Sequence, residues 1–381
     1  MLNALFIVVA VVWLLVSLRA LIAVISLRPL PVSHPPSDSR VTVVIAARDE
    51  AARLATTVCN LLAQTDVELS LVVVNDRSTD TTGEILDRLA MGEPQLRVVH
   101  VSELPAGWLG KCHALHVGAQ QASGDWLLFV DGDIWMQPTV VMRALAEAER
   151  AGIDHLCLLP GLIDPEQGNV LDQASLLTFL LAFVCAIDDA NRDLPWRSLG
   201  VGAFNLVRAD AYKAIGGHER LRMEVVDDMK LGLLLRRAGK RTRALLTTTE
   251  VQCDWPHSIV GLIKAVEKNA FAGAMFSVPA VVAITVAMLT MWTVPWIGLA
   301  LLTPPGIAAF CAYLSLLLPT WVLLGHHLGG RFTPGALLPI VCAPVTIALL
   351  WNSMLITLRQ GGVRWRDTFY SLDELRRGLA K

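Results

Sequence analysis

The sequence predicts an α/β fold with a mostly parallel sheet, in a chain that is also anchored in a membrane. From residue 41 onward, short apolar runs of strand length alternate with helical segments, an order that places helices on both faces of a parallel sheet. Hydrophobic residues make up 54% of the 381 residues. The mean hydropathy of +0.52 is too high for an ordinary soluble protein, and the excess lies in long uncharged stretches.

Three regions with at most one charged residue each are long enough for membrane helices. Leu2–Leu27 is interrupted only by Arg19 and lacks the basic leader and cleavage site of a signal peptide, so we expect a retained anchor. Residues 269–330 leave room for two helices of ~20 residues, and residues 332–358 are also uncharged. The predicted domains are a membrane helix at 1–27, a polar linker at 28–40, an α/β domain at 41–253, an interfacial amphipathic helix at 254–275, about three hydrophobic segments at 276–358 and a basic tail at 359–381.

Positive residues near membrane ends predict the orientation. Arg28 and Arg40 follow the first hydrophobic segment, so the α/β domain is expected on the cytoplasmic side. Three further spans would leave the basic tail outside. Either the tail is an exception to this rule, or one hydrophobic segment does not cross, because the segment with Pro339 and Pro344 is re-entrant or the first helix lies at the interface. We expect a cytoplasmic tail.

Composition excludes several classes of function. With a net charge of −2, the chain lacks the excess of basic residues that is typical of nucleic-acid-binding proteins. The seven cysteines are scattered without a C-x-x-C pair, which is typical of reduced thiols in a domain that faces the cytosol. The sequence has no P-loop and no G-x-G-x-x-G fingerprint, which argues against an ATPase or a dinucleotide enzyme.

Short apolar runs bounded by polar residues predict strands, and the longer stretches between them predict helices. Strands are predicted at residues 41–46, 69–74, 96–101 and 126–130. Helices are predicted at residues 50–63, 79–90, 111–122, 171–187 and 226–238. From residue 258 to 271, apolar residues recur at helical spacing while charged residues occupy other faces, so we expect a helix in the headgroup region rather than one that only caps the domain.

The strand at 126–130 ends in Asp131-Gly132-Asp133, where two carboxylates emerge at its carboxyl end. Ligands of open α/β sheets bind at that edge. Two hard oxygen donors one residue apart suit Mg²⁺ or Mn²⁺ holding a substrate diphosphate, although Asp and Gly are also common in plain strand-end turns.

Two other strand ends carry acceptors. Asp76 would accept a hydrogen bond from a nucleobase, or serve only a local turn, whereas Asp80 is expected to be structural. The segment Ala46-Ala47-Arg48-Asp49-Glu50 has small residues that leave space for a base or ribose, and Glu50 alternatively only favours a helix N-terminus. Lys111 opens a helix after two glycines, where its ammonium would lie near phosphates, although a surface lysine in a turn is the commoner state. Together these ends describe a nucleotide-diphosphate pocket.

A second acidic pair, Asp227-Asp228, stands at a predicted helix start. Acids there complement the helix dipole. Alternatively, one carboxylate removes the proton of an acceptor hydroxyl while its neighbour keeps it basic by like-charge repulsion.

The run from Val41 to about Asn269 resembles the family 2 glycosyltransferases, enzymes of the GT-A fold that transfer a sugar from a nucleotide donor with inversion. Five motifs stand in the family's order. They are Ala46-Ala47-Arg48-Asp49-Glu50, Val74-Asn75-Asp76-Arg77-Ser78, Asp131-Gly132-Asp133, Gly216-Gly217-His218 and Asp227-Asp228.

The membrane segments make the chain most similar to members that glycosylate lipids, including hopene-associated, carotenoid-type and ceramide enzymes. Gly110-Lys111, Lys268-Asn269 and Val363-Arg364-Trp365-Arg366 look like that subgroup. The acidic pair is Asp-Asp where the broader family usually has Glu-Asp. The Q-x-x-R-W motif of processive synthases is replaced by Trp255-Pro256-His257, which indicates a single transfer.

The resemblance implies a nucleotide-sugar donor, a UDP-sugar in our interpretation, and a lipid acceptor in the bilayer. It implies a divalent cation at Asp133 and Asp131, Asp228 as general base and Asp227 as its companion. The donor contacts it implies are Ala47, Arg48, Glu50, Asp76, Lys111 and Asp131. The implied location is the bacterial inner membrane, with the catalytic domain cytoplasmic.

Two alternatives belong to other classes. Phosphatases of the haloacid-dehalogenase type also place D-x-D after an apolar strand, with the first Asp as nucleophile. They expect Thr or Val two residues past the second Asp, where this chain has Trp135. The other alternative is a membrane scaffold with a degenerate sugar-nucleotide fold, against which both retained acidic pairs argue.

Overall fold

The structure is a computed structural model. It describes residues 1–32, 37–161, 169–247, 249–256, 258–327, 333–338, 340 and 342–379. The chain forms two compact units. One, here called the apolar unit, comprises Met1–Leu27, Ile163–Asp188 and Trp255–Arg376. The other, here called the sheet unit, comprises Arg28–Leu162, Asp189–Asp254 and Arg377–Lys381.

The elements are numbered in chain order. The strands are β1 (Arg40–Ala47), β2 (Glu68–Asp76), β3 (Leu96–Val101), β4 (Trp126–Phe129), β5 (Ile134–Met136), β6 (His155–Leu159), β7 (Asn205–Arg208), β8 (Thr242–Leu246), β9 (Val251–Cys253), β10 (Gly362–Trp365) and β11 (Thr368–Ser371). The helices are α1 (Leu2–Ser26), α2 (Leu54–Leu62), α3 (Thr82–Gly92), α4 (Gly110–Gln120), α5 (Val140–Arg150), α6 (Val170–Ala190), α7 (Ala209–Ala214), α8 (Asp227–Arg237), α9 (Ile259–Val266), α10 (Ala270–Gly273), α11 (Val278–Ala300), α12 (Pro304–Leu314), α13 (Leu317–His327), α14 (Ala343–Gln360) and α15 (Leu372–Arg377). Short 3-10 helices cover Gly217–Leu221 and Pro334–Leu337.

Among the described residues of the sheet unit, seven strands form one sheet in the order β3-β2-β1-β4-β7-β6-β8. Strand β7 is antiparallel to β4 and β6, and the other neighbouring pairs are parallel. Val44 lies opposite Val72 on one side and Phe129 on the other. The α/β fold class with a mostly parallel sheet is therefore confirmed. Because β2, β1 and β4 are parallel neighbours, their carboxyl ends lie at one edge.

Apolar side chains alternate between the two faces of the sheet. Val43 and Ile45 of β1 pack on one face, in a cluster that includes Leu54 of α2. Val44 packs on the other face with Leu115 of α4. Burying each such side chain stabilises the folded state by roughly 1.5–3 kcal/mol. Helices cover both faces of the sheet with apolar side chains, as parallel sheets require.

The first part of the predicted linker is integrated into the sheet unit. Leu30 N–H donates to the Leu246 carbonyl at 3.2 Å, and Leu246 N–H donates to the Arg28 carbonyl at 3.1 Å. Buried Arg143 donates to the carbonyls of Leu30 and Pro31 at 2.9 and 2.7 Å. Polarity alone did not reveal this strand-like pairing. Residues 33–36 of the linker lie outside the described residues.

In the described part of the chain, four helical stretches are long and apolar enough to cross a membrane. They are Leu2–Ser26, Val170–Ala190, Val278–Ala300 and Pro304–Gly325. The second is α6, which the sequence placed inside a continuous domain at 41–253, whereas the structure groups 163–188 with the apolar unit. Apolar residues cover most of α6, and such a pattern does not show which of the two units the helix belongs to.

The predicted amphipathic helix at 254–275 is two helices, α9 and α10, separated near Lys268 and Asn269. Asp172 of α6 accepts a hydrogen bond from Ile259 N–H at 2.8 Å, which caps the start of α9. Pro344 lies in the first turn of α14, where proline is tolerated. Pro339 and His257, which entered the predictions, lie outside the described residues.

Candidate active site

The candidate site lies at the carboxyl edge of β2, β1 and β4. The first loop at this edge follows β1 and is fixed to the loop after β2. Asp49, which has a positive φ of 53°, accepts hydrogen bonds from Thr79 N–H at 2.7 Å and Asp80 N–H at 3.3 Å. Glu50 N–H donates to Thr82 Oγ1 at 2.9 Å. The backbone after β1 is thus held in one position.

Asp80 completes this connection. Its carboxylate accepts hydrogen bonds from Ala51 N–H at 3.2 Å and Thr82 N–H at 2.9 Å. Burial acts to raise the pKa of Asp80, but the hydrogen bonds from Thr82 and Ala51 outweigh it and lower the pKa below its ordinary value. These contacts agree with the structural role expected for Asp80.

Asp76 is buried at the end of β2 and is paired with its neighbour. Arg77 Nε and a terminal nitrogen donate to the two Asp76 oxygens at 2.7 and 2.8 Å. Gly110 lies against this pair, because a Cβ there would be 2.5 Å from Asp76 Oδ2 and 2.7 Å from an Arg77 nitrogen. The sequence pointed to Asp76 but assigned no role to Arg77, which shares both carboxylate oxygens.

The Asp131-Gly132-Asp133 turn is held from two sides. Asp131 N–H donates to the Gly202 carbonyl at 2.9 Å. Thr57 Oγ1 of α2 donates to the Gly132 carbonyl, also at 2.9 Å. Because both bonds engage the backbone, the two carboxylates of the turn keep their oxygens for other partners.

Lys111, at the start of α4, connects the two acidic motifs. Its Nζ lies 2.7 Å from Asp131 Oδ1 and 3.7 Å from Asp227 Oδ1. Burial opposes the charged form of Lys111, but the negative charges of Asp131, Asp227 and Asp228 outweigh it and raise its pKa well above the ordinary value. The site therefore contains a fixed ammonium between two groups of carboxylates.

Asp228 is held by backbone donors at the start of α8. Gly202 N–H donates to its Oδ2 at 2.9 Å and Met229 N–H to its Oδ1 at 2.7 Å. Burial first, and then repulsion from Asp227, raise the pKa of Asp228 to about 6, while Lys111 partly opposes the rise. A carboxylate with this pKa accepts protons close to neutral pH.

Asp227 is buried next to the glycine-pair motif. His218 Nε2 lies 3.9 Å from Asp227 Oδ2. His218 N–H donates to the Tyr212 hydroxyl at 2.9 Å, and His218 Nδ1 lies 2.8 Å from the same oxygen. Gly217 has a φ of +54°, and a Cβ there would lie 2.6 Å from the Tyr212 ring. The glycine pair thus permits the turn that seats His218 beside Asp227.

The three remaining residues predicted to contact the donor, Ala47, Arg48 and Glu50, occupy different environments. The side chain of Ala47 is buried in the apolar core, so it presents only its backbone at the edge. Arg48 lies with Nε 3.9 Å from Asp49 Oδ2. Glu50 Cγ lies 3.8 Å from the point that a Cβ of Gly132 would occupy, next to the acidic turn.

Sequence reasoning missed the segment from Leu199 to Gly202. Gly202 contacts both acidic motifs through its backbone, and a Cβ on Gly200 would overlap the Asp228 carbonyl. Cys157 lies beneath the segment, with Sγ 3.4 Å from the Leu199 carbonyl. The available signal was the spacing Gly200-Val201-Gly202 before β7, which marks close backbone approach.

Asp131 and Asp133 are suited to a divalent cation. Burial first, and then repulsion from Asp131, raise the pKa of Asp133, a repulsion that a bound cation relieves. Within the described residues, no group of three or more His, Cys, Asp or Glu side chains is arranged around a metal position. Two carboxylates with substrate oxygens and water completing the shell is a common arrangement for Mg²⁺.

Comparison with known families agrees with this geometry. Residues 42–216 match the family model described as Glycosyl transferase family 2. The match runs from β1 through Gly216, so it includes Asp76, Lys111 and the Asp131 turn and ends before Asp227.

Three similar proteins extend the comparison. The 4,4'-diaponeurosporenoate glycosyltransferase of Staphylococcus aureus (strain bovine RF122 / ET3-1) is 22% identical, covering 87% of this chain and 88% of that protein. The uncharacterized glycosyltransferase EpsJ of Bacillus subtilis is 32% identical over 95 residues, only 26% of its length. The mannosyltransferase PcManGT from Pyrobaculum calidifontis, solved with GDP-Man and Mn²⁺, has a TM-score of 0.58 at 17% identity, covering 94% of this chain and 99% of that one. The last likeness shows a shared fold.

Proposed function

The chain contains a family 2 glycosyltransferase domain of the GT-A fold, and from this premise we propose that it transfers a sugar from a nucleotide-sugar donor to a lipid acceptor. One observation carries the proposal: Lys111 stands between Asp131, which follows β4, and Asp227, which begins α8. Lys111, proposed to bind phosphates, is thereby brought to one centre with the acidic pair Asp227-Asp228, whose second member is the proposed base.

The donor side of the proposal uses the strand ends. Asp76 with Arg77 receives the nucleoside, and Lys111 binds the diphosphate. Asp133 and Asp131 hold a divalent cation, Mg²⁺ or Mn²⁺, which when bound offsets negative charge on the leaving diphosphate. The presence of GDP-Man and Mn²⁺ in the solved mannosyltransferase supports this assignment.

The acceptor side uses Asp228. Its carboxylate takes the proton of the acceptor hydroxyl while that oxygen bonds to the anomeric carbon, and the bond from this carbon to the phosphate oxygen breaks. Attack on the face opposite the diphosphate inverts the configuration. The hydrogen bonds from Gly202 and Met229 orient the carboxylate, and Asp227 contributes the repulsion that helps to keep it basic.

The lipid acceptor is proposed from two observations. Four apolar stretches of the described chain are able to span a membrane, which is consistent with membrane association. The relative that aligns over most of both chains is named for 4,4'-diaponeurosporenoate glycosylation. We propose transfer of one sugar, from a UDP-sugar, by an enzyme of the bacterial inner membrane whose sheet unit faces the cytoplasm.

The phosphatase alternative is not favoured by this geometry. In that chemistry the first Asp of D-x-D acts as nucleophile, whereas Asp131 Oδ1 is paired with Lys111 at 2.7 Å and the strand before it lies in a family 2 domain. A scaffold without catalysis is the remaining alternative, and a binding measurement addresses it.

The proposal is tested by titration calorimetry of the detergent-purified chain with UDP and with GDP, each with and without Mn²⁺. We expect binding of UDP that depends on Mn²⁺ and that weakens at least tenfold in Asp133→Asn. Asp66→Asn, which changes an exposed acid before β2, is the matched control and should bind as the wild type does. Absence of binding for both nucleotides would overturn the proposal.

A further inference from the structure

Contacts between helices of the apolar unit indicate which of the hydrophobic segments cross a bilayer, which composition alone does not. We infer that the chain crosses three times, at α1, α11 and the continuous stretch α12–α13, and that α6 contacts the acyl chains of one leaflet without crossing. The inference goes beyond the proposed function. The proposed binding partner of α6 is the bilayer leaflet on the side that carries the sheet.

Helix α6 connects two strands of a single sheet. β6 precedes it and β7 follows it, and the two strands are hydrogen-bonded neighbours, with Leu156 opposite Leu206. Both ends of α6 therefore lead to the same side of a membrane. A crossing by α6 would require a second crossing in one of its connections, residues 160–169 or 191–204.

Neither connection is suited to a second crossing. The first contains Asp164 and Glu166, and the second contains Arg192, Asp193 and Arg197. A spanning helix needs about 20 predominantly apolar residues, and irregular backbone is not tolerated where lipid surrounds it. Although α6 is apolar enough to span, its connections leave it on the sheet side.

Contacts at both ends hold α6 within the apolar unit. Near its start, the Asp172 carboxylate accepts the bond from Ile259 N–H that begins α9. Near its end, Asp188 Oδ2 lies 2.8 Å from a terminal nitrogen of Arg19 in α1. The half-buried Phe179 and Phe183 lie along the helix between these ends, with ring centroids 4.8 Å apart. Phe179 also stacks on Trp255 of the same unit at 5.8 Å, so Phe183 is the side chain we assign to the acyl-chain contact.

Helices α1 and α12–α13 run in the same direction. Phe6 clusters with Ala309, and Ser315 Oγ donates to Ser17 Oγ at 2.7 Å. Farther along, His327 Nε2 lies 3.1 Å from the Val24 carbonyl. Because α1 ends toward the sheet unit in the chain, α12–α13 also ends on that side.

Helix α11 runs in the opposite direction. Val294, near its end, clusters with Phe6 near the start of α1. Trp13 Nε1 of α1 donates to the Met291 carbonyl at 2.9 Å. Helix α11 therefore leaves the sheet side, and α12–α13 returns to it after the turn at Leu301–Thr303.

The C-terminal hairpin β10–β11 returns to the segment that precedes α11. Lys268 Nζ lies 3.7 Å from the ring centroid of Trp365. Arg376 donates to the Phe276 carbonyl at 2.8 Å. An even number of crossings must therefore separate Phe276 from the hairpin. The two crossings at α11 and α12–α13 satisfy this condition.

Helix α14 is accordingly not a crossing. Asn352, in its middle, donates to Glu267 Oε2 at 3.3 Å, and Ser353 Oγ donates to the Glu267 carbonyl. These contacts place the middle of α14 beside the end of α9. The path accounts for the basic tail, since the hairpin and the sheet share one side. The opposite turn at Leu301–Thr303 carries no Lys or Arg, so the positive-inside rule assigns the sheet side to the cytoplasm.

The inference is tested by labelling the full chain with a membrane-impermeant maleimide in right-side-out and inverted vesicles, read by peptide mass. Native Cys59, exposed on α2, marks the sheet side. We expect Leu194→Cys, after α6, and Phe369→Cys, in β11, to label only in the orientation that labels Cys59. Leu302→Cys should label only in the other.

Two outcomes would overturn the inference. Labelling of Leu194→Cys from the Leu302 side, or only after detergent, would remove the non-crossing assignment of α6. Labelling of Phe369→Cys from the Leu302 side would remove the three-crossing path. Since labelling does not require sugar transfer, the result is independent of the proposed function.

Discussion

The backbone N–H of Gly202 donates a hydrogen bond to Asp228 Oδ2 at 2.9 Å. The carbonyl of Gly202 accepts another from Asp131 N–H, also at 2.9 Å. One residue thus joins the turn proposed to bind the cation to the carboxylate proposed as base. A displacement of this residue is expected to move both motifs together.

Gly202→Ala should therefore lower turnover. A Cβ at this position would enter contact distance of Asp131 Oδ2, so the carboxylate or the loop must shift. We expect kcat to fall at least tenfold, since small displacements in an active site are costly. Gly92→Ala is the control, because a Cβ there meets nothing within 4 Å. Equal kcat for the two variants would contradict the bridging role.

The pH dependence of kcat/KM should report Asp228. A general base works when deprotonated, so activity should fall as pH drops through the raised pKa of about 6. Asp227→Asn removes the repulsion that contributes to this rise, and the acidic limb should move to lower pH by about one unit, or about 1.4 kcal/mol. An unmoved limb in Asp227→Asn would show that the titrating group is not Asp228.

Lys111→Met should move the same limb in the opposite direction. Lys111 lowers the pKa of Asp228, so its removal leaves that carboxyl protonated at higher pH. The variant should also bind UDP at least tenfold more weakly, because the ammonium between Asp131 and Asp227 is lost. Lys213→Met, which changes an exposed lysine of α7, should alter neither quantity. A shift toward lower pH in Lys111→Met would refute this electrostatic account.

Gly110→Ala tests the nucleoside end of the site. A Cβ at residue 110 would lie 2.5 Å from Asp76 Oδ2, which forces the Asp76–Arg77 pair to move. Alanine is the better helix former, so loss of helix stability is not expected. UMP and UDP should both bind about tenfold more weakly by calorimetry. Loss of UDP binding with UMP binding intact would instead assign Gly110 to the phosphates.

The sequence predicted strands β1 to β4, whose cores are continuous apolar runs, but not β6, β7 and β8 of the same sheet. Strand β3 has the predicted bounds, 96–101. Helix starts were less accurate: α2 begins at Leu54 and α3 at Thr82, several residues later than predicted. The reason is tertiary, since the amides of Thr79 and Asp80 bond to Asp49 instead of opening a helix.

The site was predictable where side chains carry the chemistry and not where the backbone does. Lys111, Asp131 and Asp227 were all selected from sequence, and the structure brings them together. Gly202 was missed because it acts through its N–H and carbonyl, which leave no signature in residue type beyond a glycine. The grouping of α6 with the apolar unit was missed for a related reason: periodicity shows a buried face but not its partner.

The measurement that tests the account most directly is transfer of radiolabelled sugar from UDP-sugars and GDP-sugars to bacterial membrane lipids by the purified chain. We predict lipid-soluble product of inverted configuration. Asp228→Asn should slow its formation by about 10²–10⁴-fold with nucleotide binding retained, while Asp66→Asn should match the wild type. Transfer by Asp228→Asn at the wild-type rate, or a product of retained configuration, would contradict the account.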